Sequence, residues 1–292
     1  MPYLSLLKKV YHISEIVSKT YQKGNKDWLF MKYYHSLDVM NLGQILIESE
    51  PCLSSCSKEE KQTMLDALLL HDIGRAFEKD EQGTTIPHFL HGAEGMHYLK
   101  SHLNVQNVAL LASIMVHDRM DFDFLTSEEE TLLAHPLMKN LSNDARQSVL
   151  DLNKAFHQLE EGQKAFVFLV SHLVKDADTL ANIQVFKKLL NYSKAPTKAI
   201  VSPAVFQSIN QRSYVDYQDI QTLADHGLVY FGWMYHFYFN ATRTVAKKFG
   251  FAEEIKTYVL STLREATNEN SNDILAVETK YNKAISLLNT IN

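Results

Sequence analysis

The sequence is poor in the residues that interrupt helices. Its 292 residues include 10 glycines and 6 prolines, few for a chain that would need many tight turns. No segment shows the alternation of apolar and polar residues that is typical of a half-buried strand. The composition, 46% hydrophobic and 22% charged, is that of a soluble globular protein with ample material for a core. These features predict an all-α fold.

Cysteine, positive charge and long apolar runs are also scarce. Cys52 and Cys56 share one short loop, and the lack of a second pair argues against a structural zinc knuckle. A net charge of −5 argues against an extended nucleic-acid surface. No apolar run approaches the length of a membrane span, and the N-terminus lacks the apolar region of a signal peptide. We therefore expect a cytoplasmic protein with free thiols and no membrane partner.

The segment over residues 57–78 predicts a central helix that is apolar nearly all round. Its start carries a capping-box pattern, Ser57 followed by Glu60, and its inner end carries His71 beside Asp72. A buried carboxylate without a partner is strongly unfavourable, and a bound cation would offset that. A hydrogen bond between histidine and aspartate inside the core is the alternative. The glycine that follows, Gly74, leaves room for a close approach.

Four further polar side chains point inward from other predicted helices. They are His35 in a helix over 28–49, His91 before a helix over 93–102, His117 at the end of a helix over 105–116, and Asp178 within a helix over 163–190. Asp176 lies two residues earlier and faces elsewhere on the helix. A lone inward histidine is more often a hydrogen-bonded core residue than a ligand, and we interpret His172 in this way.

The remaining segments complete a helical bundle. Helices are predicted over 4–22, 127–134, 143–160, 218–249, 252–268 and 272–290. The aromatic stripe of the 218–249 helix is interpreted as core packing. Residues 1–292 are expected to form a single domain, with a core that carries the motifs over 28–190. A C-terminal helical extension over 200–292 would cap this core or form a homodimer interface.

Taken together, the inward polar residues predict a metal centre, because helix bundles build such sites from side chains on facing helices. Histidine and aspartate suit Mn, Fe, Zn, Ni or Co, with Mg also acceptable. The candidate ligands outnumber the four of a closed structural zinc site, so we expect one or two metals, with Asp72 shared between two. The candidate ligands are His35, His71, Asp72, His91, His117 and Asp178.

The order of these residues resembles the HD superfamily of metal-dependent hydrolases. HDIGR at 71–75 is similar to the most recognisable stretch of that family. KDADTLAN at 175–182 resembles its final motif, which favours Asp178 over Asp176 as the last ligand. The resemblance extends over about residues 28–190, and it implies an HD-type helical bundle with additional C-terminal helices.

Two further stretches, HGAEG at 91–95 and VHDR at 116–119, resemble the members that hold two metals. The resemblance implies two metal sites. The first metal would be bound by His35, His71, Asp72 and Asp178. His91 and His117 would complete the second site together with Asp72. Members that open cyclic di-GMP carry a GYP motif and a pair of histidines. This chain has Asp118 in place of the second histidine and no GYP motif, so that substrate is not expected.

The activity that the resemblance implies is hydrolysis of a phosphate mono- or diester, in a nucleotide or another small phosphorylated molecule, by metal-activated water. Asp72 would act together with the metal. Arg75, Lys79 or Arg119 would hold phosphate oxygens, because arginine offers a bidentate fork. His88 would be a general acid for the leaving group.

Three other functions remain open at this point. Some helical proteins of the same superfamily are di-iron oxygenases with a similar ligand set. A nucleotide-binding or sensing module would bind without turnover. In a scaffold protein, the inward polar residues would simply form hydrogen bonds within the core.

Overall fold

The structure is a computed structural model that describes residues 26–77, 91–117, 122–193, 195–266 and 271–291, together with Leu4 and Lys8. Across these residues the chain forms helices and contains no strand, so the predicted all-α fold is confirmed. No described helix has both the length and the hydropathy needed to cross a membrane. Some predictions fall outside the described residues: the helix over 4–22 apart from Leu4 and Lys8, and Lys79, His88, Asp118 and Arg119.

The chain divides into two compact units. Unit 1 comprises residues 1–178 and unit 2 comprises residues 179–292, so the boundary falls within one long helix. The prediction of a single domain over residues 1–292 stays a prediction.

The helices of unit 1 carry the predicted metal centre. Those described are α1 (Lys26–Ser49), α2 (Pro51–Ser54), α3 (Lys58–Leu70), a 3-10 helix (Ile73–Phe77), α4 (His91–Leu103), α5 (Val108–Val116), α6 (Asp123–Thr126), α7 (Glu129–Ala134), a 3-10 helix (Pro136–Asn140), α8 (Asn143–His157) and α9 (Glu161–Gln184), which continues into unit 2. Most side chains in the second half of α3 are buried, and so are those of α5. The second half of α3 and the apolar helix α5 therefore belong to the core of unit 1.

The start of the central helix is as predicted, and its end is not. The Glu60 amide donates to Ser57 Oγ at 3.1 Å, and the Ser57 amide donates to Glu60 Oε2 at 2.8 Å. The helix was expected to continue to residue 78, but α3 ends at Leu70 and a 3-10 helix begins at Ile73. His71 and Asp72 therefore lie on the turn between the two helices.

Unit 2 is built around an aromatic helix. Its described helices after the end of α9 are α10 (Phe186–Ser193), α11 (Pro203–Asn210), a 3-10 helix (Tyr217–Asp219), α12 (Leu223–Tyr235), α13 (Asn240–Lys248), α14 (Phe251–Ala266) and α15 (Ser271–Leu288). The aromatic side chains Tyr230, Phe231 and Tyr235 of α12 are buried, in agreement with the core-packing interpretation. Two long helices predicted from apolar periodicity are each divided in two: residues 163–190 form α9 and α10, and residues 218–249 form α12 and α13.

Close packing between α12 and α15 gives a first prediction. Tyr281 is fully buried, and its hydroxyl donates to the Ala224 carbonyl at 2.8 Å. A Cβ added at Gly227 would overlap Tyr281 Oη and lie 2.8 Å from Val259 Cγ2. We expect Gly227→Ala to lower the free energy of unfolding by roughly 2–3 kcal/mol and Tyr281→Phe to lower it by about 1 kcal/mol.

The double variant tests this contact. Because Tyr281→Phe removes the atom that a Gly227→Ala methyl would strike, the two together should destabilise unit 2 by less than the sum of the single effects. Urea denaturation of the wild type and the three variants measures the difference. Strict additivity would contradict the contact.

Candidate metal centre

The structure brings all six predicted ligand residues together inside unit 1. They come from three helices and from the turns that end two others: His35 from α1, His71 and Asp72 from the turn after α3, His91 from the start of α4, His117 from the turn after α5, and Asp178 from α9. Four of them are at most 2% exposed. The side chains of His35 and Asp178 are each 13% exposed, so the cluster is most accessible on their side. The role of the six residues as ligands stays a prediction.

Two groups within the cluster have donor atoms close enough to share an ion. In the first, His35 Nε2 lies 2.8 Å from Asp178 Oδ1, and His71 Nε2 lies 3.6 Å from the same oxygen. In the second, His71 Nε2 lies 3.7 Å from Asp72 Oδ2, and His117 Nε2 lies 3.8 Å from Asp72 Oδ1. His71 belongs to both groups, whereas the sequence led us to expect that Asp72 would be shared.

His91 lies against the second group. Its Nε2 is 3.3 Å from Asp72 Oδ1 and 3.3 Å from His117 Nε2. Two imidazole nitrogens that face each other at this distance need a proton or a cation between them, because two lone pairs repel. His91 is therefore placed to complete the second group.

Backbone carbonyls fix the orientation of two of the histidines. His71 and His117 are the C-cap residues of α3 and α5, where the last carbonyls of a helix lack an intrahelical partner. His71 Nδ1 donates to the Leu68 carbonyl at 3.0 Å, and His117 Nδ1 donates to the Ile114 carbonyl at 2.8 Å. Because a carbonyl oxygen only accepts, each neutral ring carries its proton on Nδ1 and points the Nε2 lone pair into the cluster.

Glycines allow α4 to bring His91 into the site. A Cβ at Gly74 would overlap the His91 carbonyl oxygen and lie 2.8 Å from the Gly95 amide nitrogen. A Cβ at Gly92 would lie 2.6 Å from the Met115 carbonyl oxygen. The close approach that Gly74 was expected to permit is therefore made by the backbone of α4.

Asp72 is already neutralised by two cations. Lys32 Nζ lies 2.8 Å from Asp72 Oδ2, and Arg75 Nε donates to Asp72 Oδ1 at 3.2 Å. Asp72 therefore has charged partners without a bound cation, contrary to the expectation from the sequence. Lys32 was not identified from the sequence, although it lies three residues before His35 and therefore on the same helix face.

The stronger indication of a metal is a buried nitrogen of His71. Within the part of the chain that the structure describes, His71 Nε2 is buried and has no hydrogen-bond partner. The neighbouring carboxylate oxygens lie 3.6 and 3.7 Å away, beyond the range of a hydrogen bond. An unsatisfied buried acceptor is unfavourable by roughly 1–3 kcal/mol. A cation held by this lone pair would remove that penalty.

The donor set also fits a transition metal. Atoms bound to one ion at about 2.0–2.2 Å lie roughly 3–3.5 Å apart, close to the separations observed in both groups. Imidazole nitrogens together with carboxylate oxygens suit Zn, Fe, Mn, Ni or Co. His71 and His117 have the backbone hydrogen bond on Nδ1 that metal-binding histidines typically make. The residues present therefore fit a divalent transition metal.

Neighbouring charges keep both carboxylates ionised. Burial by itself raises the pKa of Asp72, but the charge of Lys32, together with that of Arg75, outweighs burial and holds that pKa well below its ordinary value. Burial also raises the pKa of Asp178, but the hydrogen bond with His35 and the electrostatic interaction with His35 bring it well below its ordinary value. Both side chains are therefore available as anionic ligands at neutral pH.

Two other residues singled out from the sequence, Arg75 and Asp176, are buried as well. Arg75 is buried, so it is a component of the cluster and not a surface cation. Asp176 is also buried but belongs to neither candidate group among the described residues.

His172 gives a prediction about pH. Its ring packs against Phe122 at a centroid distance of 5.5 Å, and burial lowers its pKa from 6.5 to about 4. The unfolded chain takes up a proton near the ordinary pKa, but the folded chain does not. The stability that neutral His172 contributes is therefore complete above pH 6.5 and is lost as the pH falls toward 4.

The substitution His172→Phe should reduce this dependence on pH. We expect the melting temperature of the wild type to fall more between about pH 7 and pH 5 than that of the variant. The other histidines are common to both proteins, so their effects cancel in the comparison. Equal slopes for the two proteins would contradict the lowered pKa.

Unit 1 is thus all-helical in its described residues and holds a candidate metal centre. The histidine and aspartate side chains of this centre come from five helices or the turns that end them. The HD domain family matches residues 33–183, which include all six clustered residues. The chain belongs to this family, whose members are typically metal-dependent hydrolases. Comparison with curated proteins and with solved structures gives no match.

Proposed function

We propose that the chain is a metal-dependent phosphohydrolase that acts on a nucleotide or another small phosphorylated molecule. The observation that carries the proposal is the pair of donor groups that share His71, one with His35 and Asp178 and the other with Asp72 and His117. Membership of the HD domain family supports the same reading. We propose the six clustered residues as the ligands of one or two divalent ions.

A divalent transition metal bound here would supply a Lewis acid and lower the pKa of water at the site. The chain's own residues would prepare the site for it. Lys32 and Arg75 hold Asp72 ionised and fixed in place. The backbone hydrogen bonds of His71 and His117 orient their Nε2 lone pairs without any rearrangement on binding.

The most exposed side of the cluster is the side on which a phosphate group could enter. The side chains of His71, His91 and His117 are at most 1% exposed, whereas those of His35 and Asp178 are 13% exposed. Lys32 is 20% exposed, which lets its ammonium group meet a phosphate oxygen on this side. A phosphate ester would therefore approach along the face formed by α1 and α9.

Arg75 would act on the phosphate from within the cluster. Its Nε is held by Asp72, and a guanidinium group has the planar geometry that suits phosphate oxygens. His88, which lies outside the described residues, remains our candidate for the general acid. A nucleotide substrate and a homodimer likewise remain predictions.

A screen of phosphate mono- and diesters with Mn²⁺- or Fe²⁺-loaded protein tests the proposal. We expect Asp72→Asn to lower kcat/KM by roughly a thousandfold, because it removes the charge of a ligand at the reacting centre. Asp66→Asn is the matched control, since Asp66 is a buried carboxylate of α3 that is hydrogen-bonded to Gln62 outside the cluster. Asp66→Asn should keep the wild-type rate.

The outcomes also separate the alternatives. Equal rates for Asp72→Asn and the wild type would mean that the assigned roles are wrong. Saturable nucleotide binding without product would indicate a sensing module. An absorption band that develops when reduced, iron-loaded protein meets air would indicate an oxygenase. Protein that takes up no metal would indicate a scaffold.

A further inference from the structure

Unit 2 contains a cavity of about 430 Å³ among α12, α13, α14 and α15. Its walls include the apolar side chains of Met234, Phe237, Leu288 and Ile291. The size lies within the range of roughly 300–1,000 Å³ that is typical of pockets for small organic molecules. The cavity is made of helices of unit 2 and contains none of the clustered residues of unit 1.

One side of this cavity carries a guanidinium group with an unused donor. Arg243 Nη1 donates to Asn240 Oδ1 at 2.8 Å, and Nη2 donates to the Phe237 carbonyl. These bonds fix the guanidinium plane against the wall. Among the described residues, Arg243 Nε is buried and has no hydrogen-bond partner, so the group keeps a donor that the protein does not satisfy.

The charge of Arg243 is also unmatched within the described part of unit 2. The acidic residue among those that line the cavity is Glu253, which forms an ion pair with Lys256 at 2.6 Å. Lys247 adds a second cation to the lining. A buried or half-buried guanidinium without an anion is unfavourable, and a carboxylate is its natural planar partner.

We propose that this cavity binds a small amphipathic carboxylate, with its aliphatic part against the apolar walls and its carboxylate against Arg243 and Lys247. The lining combines apolar side chains with the cations Arg243 and Lys247, which suits a molecule that has an aliphatic chain and a single carboxylate. The site goes beyond the proposed phosphohydrolase function and does not depend on it.

Isothermal titration calorimetry with octanoate, and with 1-octanol as the uncharged analogue, tests the proposal on the full chain. We expect octanoate to saturate one site per chain and to bind at least about tenfold more tightly than octanol, because hydrogen bonds to charged groups are stronger than those to neutral ones. Arg243→Gln should weaken octanoate binding at least about tenfold, whereas Arg243→Lys should retain part of it.

A second variant covers the case in which Arg243→Gln does not fold. Ala252 lines the cavity and is half-buried, so Ala252→Trp should fill the space and reduce the binding of both ligands. Circular dichroism and urea denaturation verify that each variant is folded. Octanoate binding that is unchanged in both variants, or no saturable binding up to about 1 mM octanoate, would overturn the proposal.

Discussion

Replacing His71 with glutamine is expected to weaken transition-metal binding at least about 100-fold, more than the change of a residue that only supports a ligand. His71 is the residue that both candidate groups share. Its Nε2 is also the buried nitrogen that has no hydrogen-bond partner among the described residues. A glutamine amide has no imidazole lone pair to offer, so both groups lose a donor at once.

His97→Gln is the control for this experiment. His97 lies on α4, where its Nδ1 is 2.8 Å from Ser148 Oγ, and it belongs to neither candidate group. We expect the variant to bind Mn²⁺ or Zn²⁺ as the wild type does, in a competition assay against a chromophoric chelator. If His71→Gln and His97→Gln have the same affinity as the wild type, His71 is not a ligand.

Folding is verified separately for His71→Gln, because His71 is fully buried. Far-ultraviolet circular dichroism and the melting temperature give this check. If the variant does not fold, His35→Gln takes its place, since His35 is partly exposed and its Nε2 contacts Asp178 Oδ1 at 2.8 Å. Loss of metal in a folded His35→Gln variant supports the same account.

Gly74→Ala is expected to destabilise unit 1 by roughly 3 kcal/mol or more. The added methyl would overlap the His91 carbonyl oxygen and approach the Gly95 amide nitrogen to 2.8 Å. Both neighbours are backbone atoms of α4, so no side-chain rotation relieves the overlap and the helix itself must move. Because His91 begins that helix, its Nε2 should also move away from Asp72, and metal affinity should fall as well.

Gly162→Ala is the matched control. Gly162 lies in the first turn of α9, and nothing lies within 4 Å of a Cβ added there. Alanine at this position should be neutral or should stabilise the protein by up to about 1 kcal/mol, because it reduces the freedom of the unfolded chain. Urea denaturation of both variants measures the difference, and similar stabilities would contradict the packing of α4 against Gly74.

The candidate ligand positions are recognisable in the sequence because each lies at a particular place in or at the end of a helix. His71 follows the buried second half of α3, His117 follows the strongly apolar helix α5, and His91 precedes a pair of small residues. Helix periodicity places the two nearby aspartates on different faces of α9, and Asp178 is the one that approaches His35, although Asp176 is buried as well. The convergence of these side chains in space followed from the resemblance to the HD superfamily, since periodicity alone does not pair one helix with another.

Other features depended on tertiary packing and were not predictable. Periodicity continues through the breaks between α9 and α10 and between α12 and α13, so each pair looked like one helix. Lys32 was not identified from the sequence, and only the fold places it 2.8 Å from Asp72. Its position changes the electrostatic argument, because Asp72 has charged partners before any metal binds. The unsatisfied nitrogen of His71 can be recognised only from the structure.

Anomalous X-ray diffraction from crystals of Mn²⁺-loaded protein is the most direct test of the metal centre. The account predicts an anomalous peak about 2.0–2.3 Å from His71 Nε2, with Asp178 or Asp72 among the other ligands. A loaded crystal whose anomalous peaks all lie away from His71 would contradict it, and so would one that shows no peak in unit 1.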